Sequence, residues 1–231
     1  MDILYHNYHK HTHYSNLRTL DCVVKPEDYM KRAVELGHTT YFTGEHGFQG
    51  NLFESQTLCE KYGLKPIYSV EAYYVDDITN KSDRKSYHIM LIGMTKKARY
   101  EINKIMSVAN TEGFYYKPRI GLRELLSLSP QDTIVTTACI ASRLFKTMEI
   151  KNDEGQVIET DNKSWFYNFL LPLHQHFGKN LYLEVQDHKD QKQVAYNKKI
   201  LVLHNKLKIP MIHANDSHYI YEGDSQYRDL F

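Results

Sequence analysis

Two histidines one residue apart, His9 and His11 in the segment "HKHTHYS", head the side chains of this 231-residue sequence that can do chemistry. In an extended chain residues i and i+2 project from one face, so two imidazoles there can bind one ion side by side. Taken alone, such a pair reads more simply as two strand histidines bonded to backbone or water. Its company changes that: Glu45 and His46 follow "TTYFTG", Glu71 lies in "KPIYSVEAY", His88 opens "YHIMLIG", Cys139 follows "DTIVTTA", and Asp216 and His218 follow "IPMIHAN". Imidazole, carboxylate and one thiol together suit Zn²⁺, Mn²⁺ or Fe²⁺ better than Ca²⁺ or Mg²⁺. Ions clustered by such a set would clamp phosphate esters, which makes metal-dependent hydrolysis of a phosphodiester or phosphomonoester the expected chemistry. The sequence holds no serine nucleophile elbow, no G-x-x-x-x-G-K-[ST] loop and no G-x-G-x-x-G turn. Acyl-enzyme chemistry, P-loop ATP hydrolysis and Rossmann dinucleotide binding are accordingly set aside.

These residues are spread along the whole chain, so a fold must gather them. Short apolar runs alternate with amphipathic stretches. "ILYHNYHKHT", "TTYFTG", "KPIYSVEAYYV", "SYHIMLIGM", "DTIVTTA", "NLYLEV" and "IPMIHAN" read as strands. "KPEDYMKRAVEL", "NLFESQTLCEKY", "KKARYEINKIMSVANT", "SRLFKTMEI", "KSWFYNFLLPLHQHF" and "KQVAYNKKILVLHNKL" read as helices, with Pro26 opening the first and Gly37 and Gly63 closing the first two. "DDITNKSDRKS" and "KNDEGQVIETDN" read as polar loops, and a bend or break is expected near Pro172. Strand–helix alternation argues for an α/β fold with mostly parallel strands, closed or distorted into a barrel ahead of an open sheet. In such a barrel the side chains at the C-terminal strand ends converge on one mouth, which is where the candidate residues fall.

Composition sets outer bounds. Apolar residues make up 42% and charged residues 25%, an ordinary soluble globular balance. A formal net charge of +1 gives no global pull toward nucleic acid, so any such contact is a local patch. The longest apolar runs are too short to span a bilayer, and the first ten residues lack the pattern of a secretion signal. Three irregularly spaced cysteines fit a reducing cytoplasm.

The motifs "HKHTHYS", "TGEHG", "KPIYSVEAY", "YHIMLIG", "KPRIG", "TACIAS", "EVQDHK" and "ANDSHY" occur in an order that resembles one family, the polymerase and histidinol phosphatase (PHP) domain at the N-terminus of bacterial DNA polymerase III alpha subunits. The resemblance runs from about His6 to Tyr219 and treats residues 1–231 as a single PHP domain. It implies a distorted (β/α)7 barrel with three divalent metal ions, Zn, Mn or Fe, at the C-terminal mouth of the strands. Matched position by position, the implied ligands are His9, His11, Asp21 (in "RTLDC"), His46, Glu71, His88, Cys139, Asp216 and His218. Glu71 would bridge two metals, and His9, His11, Glu71, His88, Asp216 and His218 would carry catalysis. The related polymerases mostly write T-D-H-G where this chain has Thr43-Gly44-Glu45-His46-Gly47, so Glu45 replaces a shorter aspartate. His13 shares the strand face of His9 and His11 but is left out of the metal set.

For substrate contacts, Lys117 and Arg119 of "YYKPRIG" can meet phosphate near the mouth, and His188 of "VQDHK" is either a substrate or supporting residue or a satisfied surface histidine. His174 and His176 lie on a helix face and are expected to be structural or solvated. The resemblance implies a cytoplasmic 3′→5′ exonuclease acting on the 3′ end of DNA in replication or proofreading, beside the rest of a polymerase alpha subunit or other replisome proteins. A small-molecule phosphatase of the histidinol-phosphate type, a pyrophosphatase, and a non-catalytic module docked on a polymerase are the alternatives. Palm, fingers and thumb are absent from these 231 residues, so the chain alone is not expected to polymerise DNA.

Overall fold

Lys65–Tyr74 carries the longest of the predicted apolar strand patterns, and in the computed structural model it forms a strand whose alternate residues face two different interiors. The structure describes residues 5–17, 20–146, 150–151, 157–159, 163–188 and 190–228. In chain order, helix α1 (Pro26–Glu35) leads to strands β1 (Thr40–Phe42) and β2 (Glu45–His46), and α2 (Leu52–Tyr62) leads to β3 (Lys65–Tyr74) and β4 (Tyr87–Gly93). Helix α3 (Lys96–Asn110), β5 (Arg119–Ile120), α4 (Leu122–Leu126), β6 (Thr133–Thr136) and α5 (Arg143–Lys146) follow. Then come β7 (Ile150–Lys151), β8 (Val157–Glu159), α6 (Leu171–Phe177), β9 (Leu181–Gln186), α7 (Gln191–Leu207), β10 (Met211–Ala214) and α8 (Ser225–Arg228).

Local chemistry sets the helix ends. Pro26 starts α1 with Glu27 and Asp28 in its first turn, where carboxylates face the positive end of the helix dipole. Gly63 closes α2 in the left-handed conformation at φ 68°. The Asp190 carboxylate accepts the Lys192 and Gln193 amides and so caps α7.

Eight strands form one curled α/β sheet, a distorted half-barrel in the order β1-β3-β4-β6-β9-β10, with β2 and β5 also paired to β3. Most pairs are parallel, but β4 is antiparallel to both β3 and β6. No helix separates β3 from β4, and a parallel return needs a crossover of that kind. The reversal matters for the site: β4 starts at the end of the barrel where β3 finishes, so His88 pairs with Tyr73. A histidine at a strand start thereby joins residues at strand ends.

Alternation along β3 and β4 divides two cores. Val70, Ala72, Tyr74, Ile89 and Leu91 pack outward against α3, α4, α6 and α7 through residues such as Ile102, Leu125, Leu173 and Ile200. Met90 and Ile92 face inward with Tyr8 and Ala214. Glu71 shares that inward register, two residues from Ser69 and Tyr73.

Of the predicted first strand, "ILYHNYHKHT", the described residues 5–12 form no ladder. Lys10 makes one isolated parallel bridge to Ser217, with the His11 amide donating to the Ser217 carbonyl at 2.8 Å and the Ser217 amide to the His9 carbonyl at 3.2 Å. Pairing stops there because Ser217 lies beyond β10, next to Asp216 at φ 50°. The "KNDEGQVIETDN" loop is also corrected, since Ile150–Lys151 and Val157–Glu159 pair as an antiparallel ribbon. Its β-branched residues prefer that geometry. Of the predicted helix "SRLFKTMEI" the described helical part is Arg143–Lys146 only; residues 147–149 lie outside the described residues. "KSWFYNFLLPLHQHF" is helical through a π-helical stretch, Phe166–Leu170, immediately before Pro172 in the first turn of α6. Among the described residues no helix is long and apolar enough to cross a membrane.

Arg119 on β5 ties the loops beside the mouth together. It is 1% exposed, and its guanidinium donates to the carbonyls of Gly113, Asn80 and Ile78, each at 3.0 Å. Gly113 must be glycine, because a Cβ there would collide with the Arg119 carbonyl. Replacing Arg119 strips a charged donor from three carbonyls of these loops. Arg119→Ala is expected to lower the unfolding free energy by about 3 kcal/mol, read from urea titration, with Arg119→Lys recovering only part of the loss.

Candidate metal centre

Glu71 projects from β3 into a ring of four imidazoles. One carboxylate oxygen lies 3.1 Å from His9 Nε2 and 3.0 Å from His88 Nδ1. The other lies 2.7 Å from His46 Nδ1 and 3.4 Å from His11 Nε2. Asp216 Oδ1 approaches the same pair of histidines, 3.3 Å from His9 Nε2 and 3.1 Å from His11 Nε2. Asp21 Oδ2 then joins His46 Nε2 at 3.3 Å to His218 Nε2 at 3.1 Å. Cys139 Sγ lies 3.7 Å from His88 Nδ1, at the edge of the group. The structure thus brings all nine predicted side chains into one connected cluster.

Asp21–His218 and Cys139–His88 are hydrogen bonds, but the approaches at the centre of the group are not. His9 Nε2, His11 Nε2, His46 Nδ1, both Glu71 oxygens and Asp216 Oδ1 are buried with no hydrogen-bond partner. A protein interior rarely leaves even one such atom unbonded, because the lost hydration is not returned. Six potential ligand atoms facing one another are an arrangement that a cation would satisfy. Three overlapping triads, His9–His11–Glu71, His46–Glu71–His88 and His11–His46–His218, bring their ligand atoms within 4.8 Å of one another. The nitrogen and oxygen donors, with a thiol nearby, fit a borderline transition metal.

Residues outside this ring hold the rings in place. Glu184, fully buried on β9, accepts from His9 Nδ1 at 2.8 Å, from the Tyr8 hydroxyl at 2.6 Å, from Thr136 at 2.7 Å and from the Gln186 amide at 2.8 Å. With Nδ1 committed to a carboxylate, His9 turns Nε2 and its lone pair to the cluster. Glu184 opens the motif "EVQDHK", but the sequence reading gave it no role; its further signal is that of a lone acid in the apolar strand "NLYLEV". Glu45 does not enter the cluster. It accepts from the Thr12 amide and hydroxyl, from the Ser15 hydroxyl and from Asn51, and Ser15 in turn contacts His11 Nδ1 at 3.0 Å. The added methylene of Glu45 is thereby absorbed by the turn that carries His11. Two cluster positions also sit on strained backbone: Asp216 has φ 50°, and Ala138, before Cys139, has φ 56°.

The charges compensate one another. Burial opposes the charged form of His9 and His46, but Glu184, Asp216 and Glu71 raise His9 well above the ordinary imidazole value, and Glu71 and Asp21 raise His46 to about 9. Burial and the neighbouring His46 push His11 down to about 3. Burial would raise Glu71, yet His88, His9 and His46 hold it well below the usual carboxylate range. His218 and His46 lower Asp21. Burial, with Asp216 and Glu71, raises the Cys139 thiol.

The remaining candidates divide. Lys117 lines a cavity of about 380 Å³ whose floor is Asp21, His46 and His88. His188 is exposed and lines a second cavity, of about 660 Å³, that reaches Cys139, Asp216 and His218. Arg119 is a correction: its guanidinium is spent on buried loop carbonyls and offers nothing to a phosphate. His13 is exposed, because a 3-10 turn over His13–Ser15 rotates it away from the face it would share in a strand. His176 Nε2 donates to the Leu128 carbonyl at 2.9 Å, a structural contact.

Residues 7–188 match the PHP domain family. The chain is 28% identical over 230 residues to the DNA polymerase III subunit alpha of Borreliella burgdorferi, covering 96% of this chain and 19% of that protein. It is 28% identical over 232 residues to the corresponding subunit of Aquifex aeolicus, covering 94% of this chain and 18% of that protein. The chain therefore spans about a fifth of the length of these curated relatives. Among solved structures, a protein of Bifidobacterium adolescentis described as a candidate metal-dependent phosphoesterase superposes with a TM-score of 0.56 at 11% identity, covering 92% of this chain and 87% of that one. An amidohydrolase of Chromobacterium violaceum gives a TM-score of 0.50 at 11% identity, with 92% and 88% covered.

Protonation fixes how this cluster responds to pH. His46 stabilises the folded state fully below the ordinary value of 6.5 and loses that contribution as pH rises toward about 9. His9 and His218 run the same way, and depressed His11 runs against them. Depressed Asp21, Glu71 and Asp216 contribute above their ordinary values, 3.8 for aspartate and 4.5 for glutamate, and lose this below them. Chelator-treated protein is expected to melt highest between about pH 5 and 6 and progressively lower toward pH 9. Added Zn²⁺ or Mn²⁺ competes with protons for the same nitrogens, so its stabilising shift in Tm should grow over that range. A shift that is flat in pH would separate metal binding from these imidazoles.

Proposed function

Because the chain belongs to the PHP domain family, we propose that it is a metal-dependent phosphodiesterase domain, a 3′→5′ exonuclease acting on DNA, and that residues 1–231 make up this one domain. The observation that carries this reading is the set of six buried, unbonded ligand atoms of His9, His11, His46, Glu71 and Asp216, of which His46 and Asp216 belong to residues lining two open cavities. A purely structural interior has no reason to leave them so.

His9, His11, Asp21, His46, Glu71, His88, Cys139, Asp216 and His218 would hold three divalent cations, Zn, Mn or Fe. Glu71, with each oxygen against two imidazoles, is placed to bridge. When bound, such ions supply positive charge for the phosphoryl oxygens and lower the pKa of a water toward neutrality. The residues themselves orient this chemistry. Glu184 and Ser15 fix the His9 and His11 rings, while His88, Asp216 and His218 present donors at the open side. The bond broken is the one between phosphorus and the 3′ oxygen of the preceding nucleotide. Water oxygen takes its place on phosphorus, and the freed 3′ oxygen takes up a proton.

DNA as substrate rests on the polymerase alpha subunits that the chain resembles. The same relatives support a cytoplasmic role in replication, beside the remainder of an alpha subunit or other replisome proteins. The expected outcome with purified, metal-analysed protein is stepwise shortening of 5′-labelled single-stranded and primed DNA from its 3′ end. His9→Ala and Glu71→Gln should reduce that rate by more than about 100-fold, beyond the usual cost of losing an outer partner of a metal ligand. Turnover of a chromogenic phosphomonoester without any shortening of DNA would move the function to a small-molecule phosphatase. Bound metal with no hydrolysis of either substrate would leave a docking module.

A further inference from the structure

Two cavities open onto the cluster, and they differ in chemistry. The one of about 660 Å³ presents the exposed carboxylates of Asp187 and Asp190 beside His188, an environment that repels a phosphodiester backbone. The one of about 380 Å³ has Asp21, His46 and His88 at its floor and the rings of Phe48, Tyr73, Phe114 and Tyr116 around it. Lys117 lines this cavity too, with its ammonium 4.2 Å from the centre of the Tyr73 ring. Phe114 is 51% exposed, an apolar ring left in solvent at the cavity wall.

We propose that this aromatic cavity receives the base of the 3′-terminal nucleotide, the one that is released, while its 5′ phosphate rests at the cluster. The proposal rests on the phosphodiesterase reading above. Stacking surfaces bind any base, because every base has an aromatic face, and a cation at the rim suits the phosphate chain that follows. The volume lies at the small end of ligand pockets, enough for one nucleotide and more than a bare phosphate needs.

The walls are built to stay in place. Gly47 sits at φ 67°, and a Cβ there would lie 2.7 Å from Pro118 Cγ and 2.9 Å from the Tyr73 ring, so the wall closes onto bare backbone. Arg84 lies 3.9 Å from the centre of the Tyr116 ring and bonds its hydroxyl. Arg119 anchors the backbone on either side, at Gly113 and at Ile78 and Asn80. Tyr116 itself is held at φ 61°, a conformation costly for an aromatic residue and explained if its placement serves a ligand.

The test compares two diesters with one leaving group, thymidine 5′-(p-nitrophenyl phosphate) and methyl p-nitrophenyl phosphate, on the metal-loaded protein. The thymidine ester should show a kcat/KM higher by about tenfold or more, carried mainly in KM. That ratio should fall toward one in Phe114→Ala and Phe48→Ala; being a ratio, it cancels any general loss of folding or metal. Calorimetry with thymidine 5′-monophosphate against inorganic phosphate should give the same order, and the same collapse. Equal hydrolysis of both esters by the unmodified protein would overturn the base cavity and leave the phosphodiesterase standing. If neither ester is hydrolysed the phosphodiesterase reading fails, and thymidine monophosphate binding no tighter than phosphate then overturns the cavity as well.

Discussion

A single buried carboxylate organises this molecule. Glu71 is wholly enclosed, and an isolated carboxylate in such a place would be driven to take up a proton. It stays ionised because His88, His9 and His46 lower its pKa, and His9 and His46 are in turn raised by Glu184, Asp216, Glu71 and Asp21. No member is stable in its ionic state without the others. Removing one partner from a buried ionic set leaves an uncompensated charge, so the cluster constrains the backbone that carries it. Protons and divalent cations are competing ways of meeting the same demand.

The scaffold is arranged to meet that constraint from far apart in the chain. The inner face of β3 supplies Glu71, the start of antiparallel β4 supplies His88, and β2 supplies His46. The extended segment carrying His9 and His11 closes against Ser217, which fixes Asp216 and His218 opposite them. Strain at Asp216 and Ala138 lies where these pieces meet. Around them, Glu184 and Glu45 each bind four donors and so convert loosely attached rings into fixed ones. The cluster is rigid because its supports are polar, buried and fully engaged.

Surroundings then differentiate the mouth. One side is aromatic and bordered by Lys117; the other is acidic. Under the proposed phosphodiesterase reading, the walls are what can choose among substrates of different shapes. Arg119 contributes to this choice indirectly, since it secures the loops that carry the rings while lining neither cavity.

The sequence by itself determined residue types and local periodicity, and those were enough for much of the fold and for the members of the cluster. The two-residue period of "KPIYSVEAYY" put Glu71 on one face with Ser69 and Tyr73, and Pro26 and Gly63 marked helix ends through backbone geometry. Only the tertiary structure decided directions and partners. It turned His13 out through a tight turn, reversed β4, left "HKHT" without a ladder and drew Arg119 inward. The role of Glu184 was hidden for the same reason: its contact with His9 spans 175 residues. Propensity and pattern act between near neighbours, whereas burial of a polar group is decided by what the rest of the chain brings to it.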